Sequence, residues 1–121
     1  MNIRRMNGDT LEILDGDNLV LSLSEKLVDN AMHIAVSGEI KNAVAHDFED
    51  ELMAAISVCN VIKLDLSKVT YMASIAMRAL LSVQQIVDEN DKASLIITKV
   101  SPEVKEMFET SGFIDILNIE D

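Results

Sequence analysis

The side chains able to do chemistry are few and far apart. His33, His46 and Cys59 are the only histidine and cysteine residues, and no two stand at a metal-ligand spacing, so no metal centre is expected. His33 falls on the outward side of an alternating segment and His46 on a helix, which suits solvated or capping roles. The four glycines, Gly8, Gly16, Gly38 and Gly112, are scattered and build neither a phosphate loop nor a dinucleotide-binding turn. No cofactor is expected. Neighbouring acids such as Glu49 and Asp50 fit a solvated helix face better than an acid–base pair. Cys59 precedes an apolar strand and reads as a small buried hydrophobe rather than a nucleophile. What stands out is Ser74, which follows a strand and a short loop and opens an apolar helix. It has no histidine partner in the chain order, so nucleophilic catalysis is not supported. A phosphate on it would sit on the partial positive charge of a helix N-terminus. Serine is equally a preferred N-cap, so Ser74 has two roles open to it.

Composition narrows the partners. The chain has 121 residues, enough for one domain and too few for two. Hydrophobic residues make up 49% and aromatics 3%, so the core is aliphatic and stacking platforms for bases are not expected. The net charge of −11 repels phosphate backbones and anionic headgroups, which argues against direct nucleic-acid binding and makes a basic protein surface the natural complement. One cysteine permits no internal disulfide and fits a reducing compartment. There is no secretory signal and no bilayer-spanning run, so membrane insertion is not expected and a soluble cytoplasmic protein is.

The elements that must position Ser74 follow from periodicity. Residues 10–14 alternate and end at the turn dipeptide Asp15-Gly16. Leu19, Leu21 and Leu23 alternate next, then Met32, Ile34 and Val36 after the turn Asp29-Asn30, giving one or two antiparallel hairpins. Val44, Phe48, Leu52, Ala55 and Ile56 then recur at helical spacing, with acids between them that suit the helix N-terminus. Val61–Leu66 reads as an inner strand bounded by Ser67. A second helix runs from about Ser74 to Asn90, with Ala76, Leu80, Val83, Ile86 and Val87 inward. Ala93–Thr98 is a further strand. Ser101-Pro102 starts a third helix as N-cap and first residue, and Gly112 ends it. Phe113–Ile119 is a final strand or a packed tail. Strands separated by helices imply parallel pairing with right-handed crossovers.

The run Leu-Asp-Leu-Ser-Lys-Val-Thr-Tyr-Met-Ala-Ser-Ile-Ala-Met-Arg-Ala-Leu, residues 64–80, resembles the central signature of STAS domains, the fold of bacterial anti-sigma factor antagonists. Ser37-Gly38-Glu39-Ile40 is similar to that family's Gly-Glu-Leu turn, and residues 100–113 are similar to its third helix. The resemblance covers roughly residues 18–117. It implies an α/β fold, a STAS-like mixed β-sheet with an N-terminal antiparallel hairpin followed by β-α-β-α-β-α, the helices packed on the sheet. Residues 18–121 would form the domain and residues 1–17 an N-terminal extension holding a candidate extra strand. The usual last helix of the family would be short or missing.

The resemblance also implies a non-enzymatic interaction module that binds an anti-sigma factor, often a serine kinase, in a partner-switching pathway of transcription control. The site carried over comprises Gly38, Glu39, Lys41, Asp65, Met72, Ala73, Ser74, Ile75, Ala76, Met77 and Arg78, with Ser74 as the phosphorylation candidate. Three departures bear on the switch. Ala73 stands where the motif has Asp, Ala76 where it has Gly, and Lys41 where an acid often follows Gly-Glu-Leu. Ala73 and Ala76, with Ile75 at the motif's second small position, make the loop apolar and favour an alternative, a constitutive scaffold or regulatory subunit of a signalling assembly or transporter without a working phosphoswitch. A ligand-binding domain or enzyme on the same fold is a third option that the sparse site chemistry does not support.

Overall fold

The computed structural model describes residues 2–120. Met1 and Asp121, the outer ends of the two expected spans, lie outside the described residues. Six strands and three helices follow in order. They are β1 (Asn2–Asn7), β2 (Thr10–Asp15), β3 (Asn18–Val28), β4 (Ala31–Ile40), α1 (Asn42–Val58), β5 (Val61–Met72), α2 (Ser74–Asp88), β6 (Ser94–Val100) and α3 (Pro102–Ser111). The strands form one sheet in chain order, β1-β2-β3-β4-β5-β6. The first four make an antiparallel meander; β4-β5 and β5-β6 are parallel. The sheet is therefore mixed, as expected for the STAS-like architecture.

Local chemistry explains several joints. Asp29 and Asn30 both hold positive φ, 51° and 65°, in the two-residue link between β3 and β4. That is the turn whose twist matches a hairpin, and Asn and Asp tolerate it. Ser101 caps α3, its Oγ accepting from the Val104 N–H at 3.2 Å, with Pro102 next and Gly112 closing the helix at φ 82°. These positions stand as the sequence predicts.

The core lies between one sheet face and the helices. Leu11, Ile13, Leu21, Leu23, Ile34, Val36, Ile62, Leu64, Leu95 and Ile97 are buried there against Val44, Phe48 and Leu52 of α1, Leu80 and Val83 of α2, and Val104 and Phe108 of α3. Each such fully buried side chain contributes about 1.5–3 kcal/mol. The opposite face has no helical layer; His33, Ala35 and Ser37 are exposed on it.

Four features differ from the sequence expectation. First, residues 2–7, which do not alternate, form β1 on the edge of the sheet. The Asn2 side-chain amide donates to the Ala43 carbonyl at 2.9 Å, and Arg4 bridges Asp47 and Glu51 of α1. Second, α1 has no acid in its first turn; Asp47 and Glu51 sit further on and hold Arg4 rather than the helix dipole. Third, β5 does not stop at Leu66 but runs to Met72, because Ser37–Ile40 of β4 offer Lys68–Met72 a parallel partner. Fourth, in α2 Ile86 faces solvent and Gln84 is buried in its place. The segment 113–119 is a packed tail: a 3₁₀ turn at Phe113–Asp115, a buried Leu117, and a single bridge from Ile119 to Ile97.

Candidate functional site

The parallel pairing of β4 and β5 brings the two separate sequence signatures together. Glu39 lies opposite Tyr71 and Ile40 opposite Met72 at the ends of the two strands. The Ala73 N–H then donates to the Ile40 carbonyl at 2.8 Å, tying the start of α2 to the end of β4. Both helices leave this edge at once, α1 from Lys41 and α2 from Ala73, and neither N-cap residue makes a side-chain cap. Two uncapped helix N-termini therefore open side by side at the carboxyl ends of parallel strands, where α/β folds commonly place binding loops.

Ser74 does not cap α2. The N-cap is Ala73, whose carbonyl accepts from the Ala76 and Met77 N–H groups, and Ser74 is the first helical residue. Its side chain is exposed and makes no hydrogen bond among the described residues. With the N-cap position taken by Ala73, the Ser74 hydroxyl is left exposed. Arg78 follows one turn later on the same helix face and is also exposed.

The other expected site residues divide by burial. Ile75 is 52% exposed and Tyr71 is 42% exposed; with Ser74 and Arg78 they form the accessible rim. Glu39 and Lys41 add a weak exposed ion pair, Nζ to Oε2 3.8 Å. Met72, Ala73 and Ala76 are buried, so they shape the loop from beneath. Met77 is half-buried and lines a groove between α2 and α3 with Met107, Glu103 and Thr110. Gly38 has φ 123°, and a Cβ there would lie 2.7 Å from the Val20 carbonyl oxygen. Its role is to let β4 bend against β3 just before the site. Asp65 is not brought to this edge. It lies seven residues up β5, roughly 20 Å away, with its Oδ1 accepting from the Ser67 N–H at 2.8 Å.

A second, smaller groove between α1 and α2 is lined by Asn42, His46 and Glu49 from one side and Ile75, Arg78 and Ser82 from the other. Sequence reasoning did not place His46 and Glu49 beside the Ser74 helix. The 42-46-49 and 75-78-82 spacings mark one face on each helix, but only the packed pair shows that these faces meet. Cys59 is partly buried rather than fully so, its Sγ–H directed at the Asn30 carbonyl at 3.0 Å.

Electrostatics single out one further group. Glu25, on the helix-facing side of β3, has its carboxyl raised to about 7, first by burial and then by the charge and hydrogen bonding of Glu51. Arg4 meets Glu51 and Asp47 from β1, so the N-terminal strand partly offsets an acidic cluster on α1. No helix is long and apolar enough to cross a membrane among the described residues.

The comparisons agree with this architecture. The family model described as "Mlab, STAS domain" matches residues 23–118. A Bordetella bronchiseptica protein described as a candidate anti-sigma factor antagonist, BtrV, is 27% identical over 100 residues, covering 82% of this chain and 85% of its own. An anti-sigma factor antagonist from Mycobacterium paratuberculosis superposes with a TM-score of 0.68 at 18% identity, over 82% of this chain and 84% of that one. The anti-sigma factor antagonist SpoIIAA of Bacillus is similar in two forms. The unphosphorylated form gives a TM-score of 0.67 at 17% identity, over 80% of this chain and 86% of its own. The phosphorylated form gives 0.62 at 15% identity, over 80% and 89%. With the mixed sheet, the three helices and the 64–80 signature in place, this chain belongs to the STAS domain family, and its fold is that of the anti-sigma factor antagonists.

Proposed function

We propose that the chain is a non-enzymatic cytoplasmic partner-switching module, binding an anti-sigma factor of the serine-kinase type through the edge formed by residues 38–42 and 71–78. The observation that carries this is Ser74. It is an exposed, unbonded hydroxyl on the first residue of a helix, set among the exposed Tyr71, Ile75 and Arg78. The hydroxyl accepts a phosphate, which adds nearly two negative charges in the middle of the contact rim. In the free protein that charge is tolerated, because it meets a helix N-terminus with Arg78 one turn away. In a complex it meets desolvation and the acids around it, and the partner is released. Support comes from the similarity to BtrV and SpoIIAA, the latter solved in a phosphorylated form.

The test pairs the protein with the kinase-type anti-sigma factor encoded nearest to its gene. Incubation with ATP and mapping by mass spectrometry is expected to place phosphate on Ser74, and Ser74→Asp is expected to lose the partner in a pull-down that retains the wild type. Phosphate on another residue, or none, sinks the switch. Equal recovery of partner by wild type and Ser74→Asp favours the constitutive scaffold. One observation favours that second reading: Ile75 and Tyr71 present apolar surface at the rim, which suits a permanent contact.

A further inference from the structure

The sheet face away from the helices carries a cationic row in a chain with 21 acidic and 10 basic residues. The strand register sets Lys26 opposite His33 and His33 opposite Lys63, so two lysines flank a histidine across β3, β4 and β5. At about 4.8 Å per strand the row is roughly 10 Å wide. Lys99 of β6 extends it, lying opposite Asp65, and Lys68 stands further along β5 opposite Ser37. Lys26, His33, Lys63 and Lys99 line one shallow depression of about 470 Å³ together with Asp65 and Glu120, and Lys68 borders the adjoining one.

The row is balanced only in part: Asp65 stands opposite Lys99 in register, and Asp65 and Glu120 share the depression with the lysines. Among the described residues no carboxylate lies within ion-pair distance of Lys26, Lys63, Lys68 or Lys99. Of the carboxylates on this face, Glu12 is held by Arg5, Asp65 accepts from the Ser67 N–H, and Glu120 stands at the rim of the depression. No helix covers it.

We propose that this face docks a short acidic segment of a partner protein. The row is wide enough for two or three carboxylates, and Ser24, Ser37 and Thr98 border it with hydroxyl groups. A flexible peptide reaches the row while avoiding the acidic remainder of the surface. A nucleic-acid duplex or an anionic membrane has to face that whole side of a molecule of net charge −11 and is repelled. The face lies mid-sheet, apart from the Ser74 edge, so this proposal stands or falls independently of the switch.

The test measures fluorescence anisotropy of a labelled deca-glutamate peptide titrated with the full chain at low ionic strength. Binding is expected, weakening as salt is added. The double variant Lys26→Gln/Lys63→Gln is expected to bind about tenfold more weakly. Its urea midpoint is expected to stay close to that of the wild type, because neither lysine makes an ion pair within the fold. The control Lys92→Gln/Lys105→Gln, away from the face, is expected to bind as the wild type does. Absence of peptide binding, or equal weakening by the control pair, overturns the proposal. So does tighter binding of a single-stranded oligonucleotide of equal length that the first double variant abolishes. Self-association of the wild type in sedimentation, lost in that same variant, assigns the face to a second copy of the chain and likewise overturns it.

Discussion

Replacing Gly38 by Ala is expected to be among the most damaging single-methyl changes in the chain. Two costs combine. The backbone holds φ 123° there, a region that L side chains rarely adopt, and holding such a residue costs about 1–3 kcal/mol. The new Cβ would also lie 2.7 Å from the Val20 carbonyl oxygen and 3.4 Å from the Leu21 Cα, both backbone atoms that no rotamer change can move. Shifting β3 to make room strains the Leu21–Gly38 pairing and costs a further ~1–3 kcal/mol, as overpacking does. The sum, roughly 2–6 kcal/mol, is a large share of the 5–15 kcal/mol typical of a domain. Urea unfolding followed by circular dichroism reads it directly. With a slope of about 1.5 kcal/mol per molar, the midpoint falls by roughly 1.3–4 M. The neighbouring Ser37→Ala, exposed on the open face, is expected to move the midpoint by less than about 0.3 M. If Gly38→Ala also moves it by less than about 0.3 M with an unchanged slope, the backbone clash is not real and the account of the bend before the site is wrong.

Other expectations are as direct. Ser101→Ala removes the α3 cap and the Oγ–H bond to the Val69 carbonyl, 2.5 Å in a buried setting, and is expected to cost about 2–3 kcal/mol, lowering the Tm by roughly 5–10 °C in calorimetry. Glu25 gives a pH signature. Its folded carboxyl sits near 7 against an ordinary 4.5, so the folded state binds its proton more tightly and loses stability as pH rises from about 4.5 through 7. Glu25→Gln is expected to raise the urea midpoint at pH 8 and leave it nearly unchanged at pH 4.5; equal shifts at both would refute the burial-and-Glu51 account. Ser74→Asp is expected to unfold at or slightly above the wild-type midpoint, since an acid in the first turn of α2 gains about 0.3–1 kcal/mol from the helix N-terminus. A lower midpoint would mean that partner loss in this variant reports misfolding.

Much of the fold was legible because its signals are local. Period-two runs in β3 and β4, the helical stripe of Val44, Phe48 and Leu52, and the inward Val104 and Phe108 each follow from which face must be buried. The 64–80 signature and its two companions carried the family. The sequence offered two candidate stretches, 38–42 and 67–78, but not their adjacency, which depends on a parallel register between residues more than thirty apart. Asp65 belongs to the signature in sequence but, lying between the buried Leu64 and Leu66 and seven residues before the end of β5, to the open face of the sheet in space. Ile86 and Gln84 exchanged places because helical periodicity alone does not say which side the sheet and the tail will cover.

The sequence by itself determined what short-range physics decides. It placed the turn at Asp29-Asn30, the serine cap and proline at the start of α3, the left-handed Gly112 and the alternating faces of the strands. In each case the residues responsible lie within a few positions of one another. Tertiary structure alone decided the rest. Residues 2–7 became a strand because β2 offered an edge and α1 offered carboxylates to Arg4. Residues 67–72 became strand rather than loop because the end of β4 paired with them. Ser74 was freed from capping because the bond from Ala73 to Ile40 fixed the helix start one residue earlier. Lys26, His33 and Lys63 became neighbours only through strand order. In all four, the deciding partner is remote in the chain, and no local pattern encodes it.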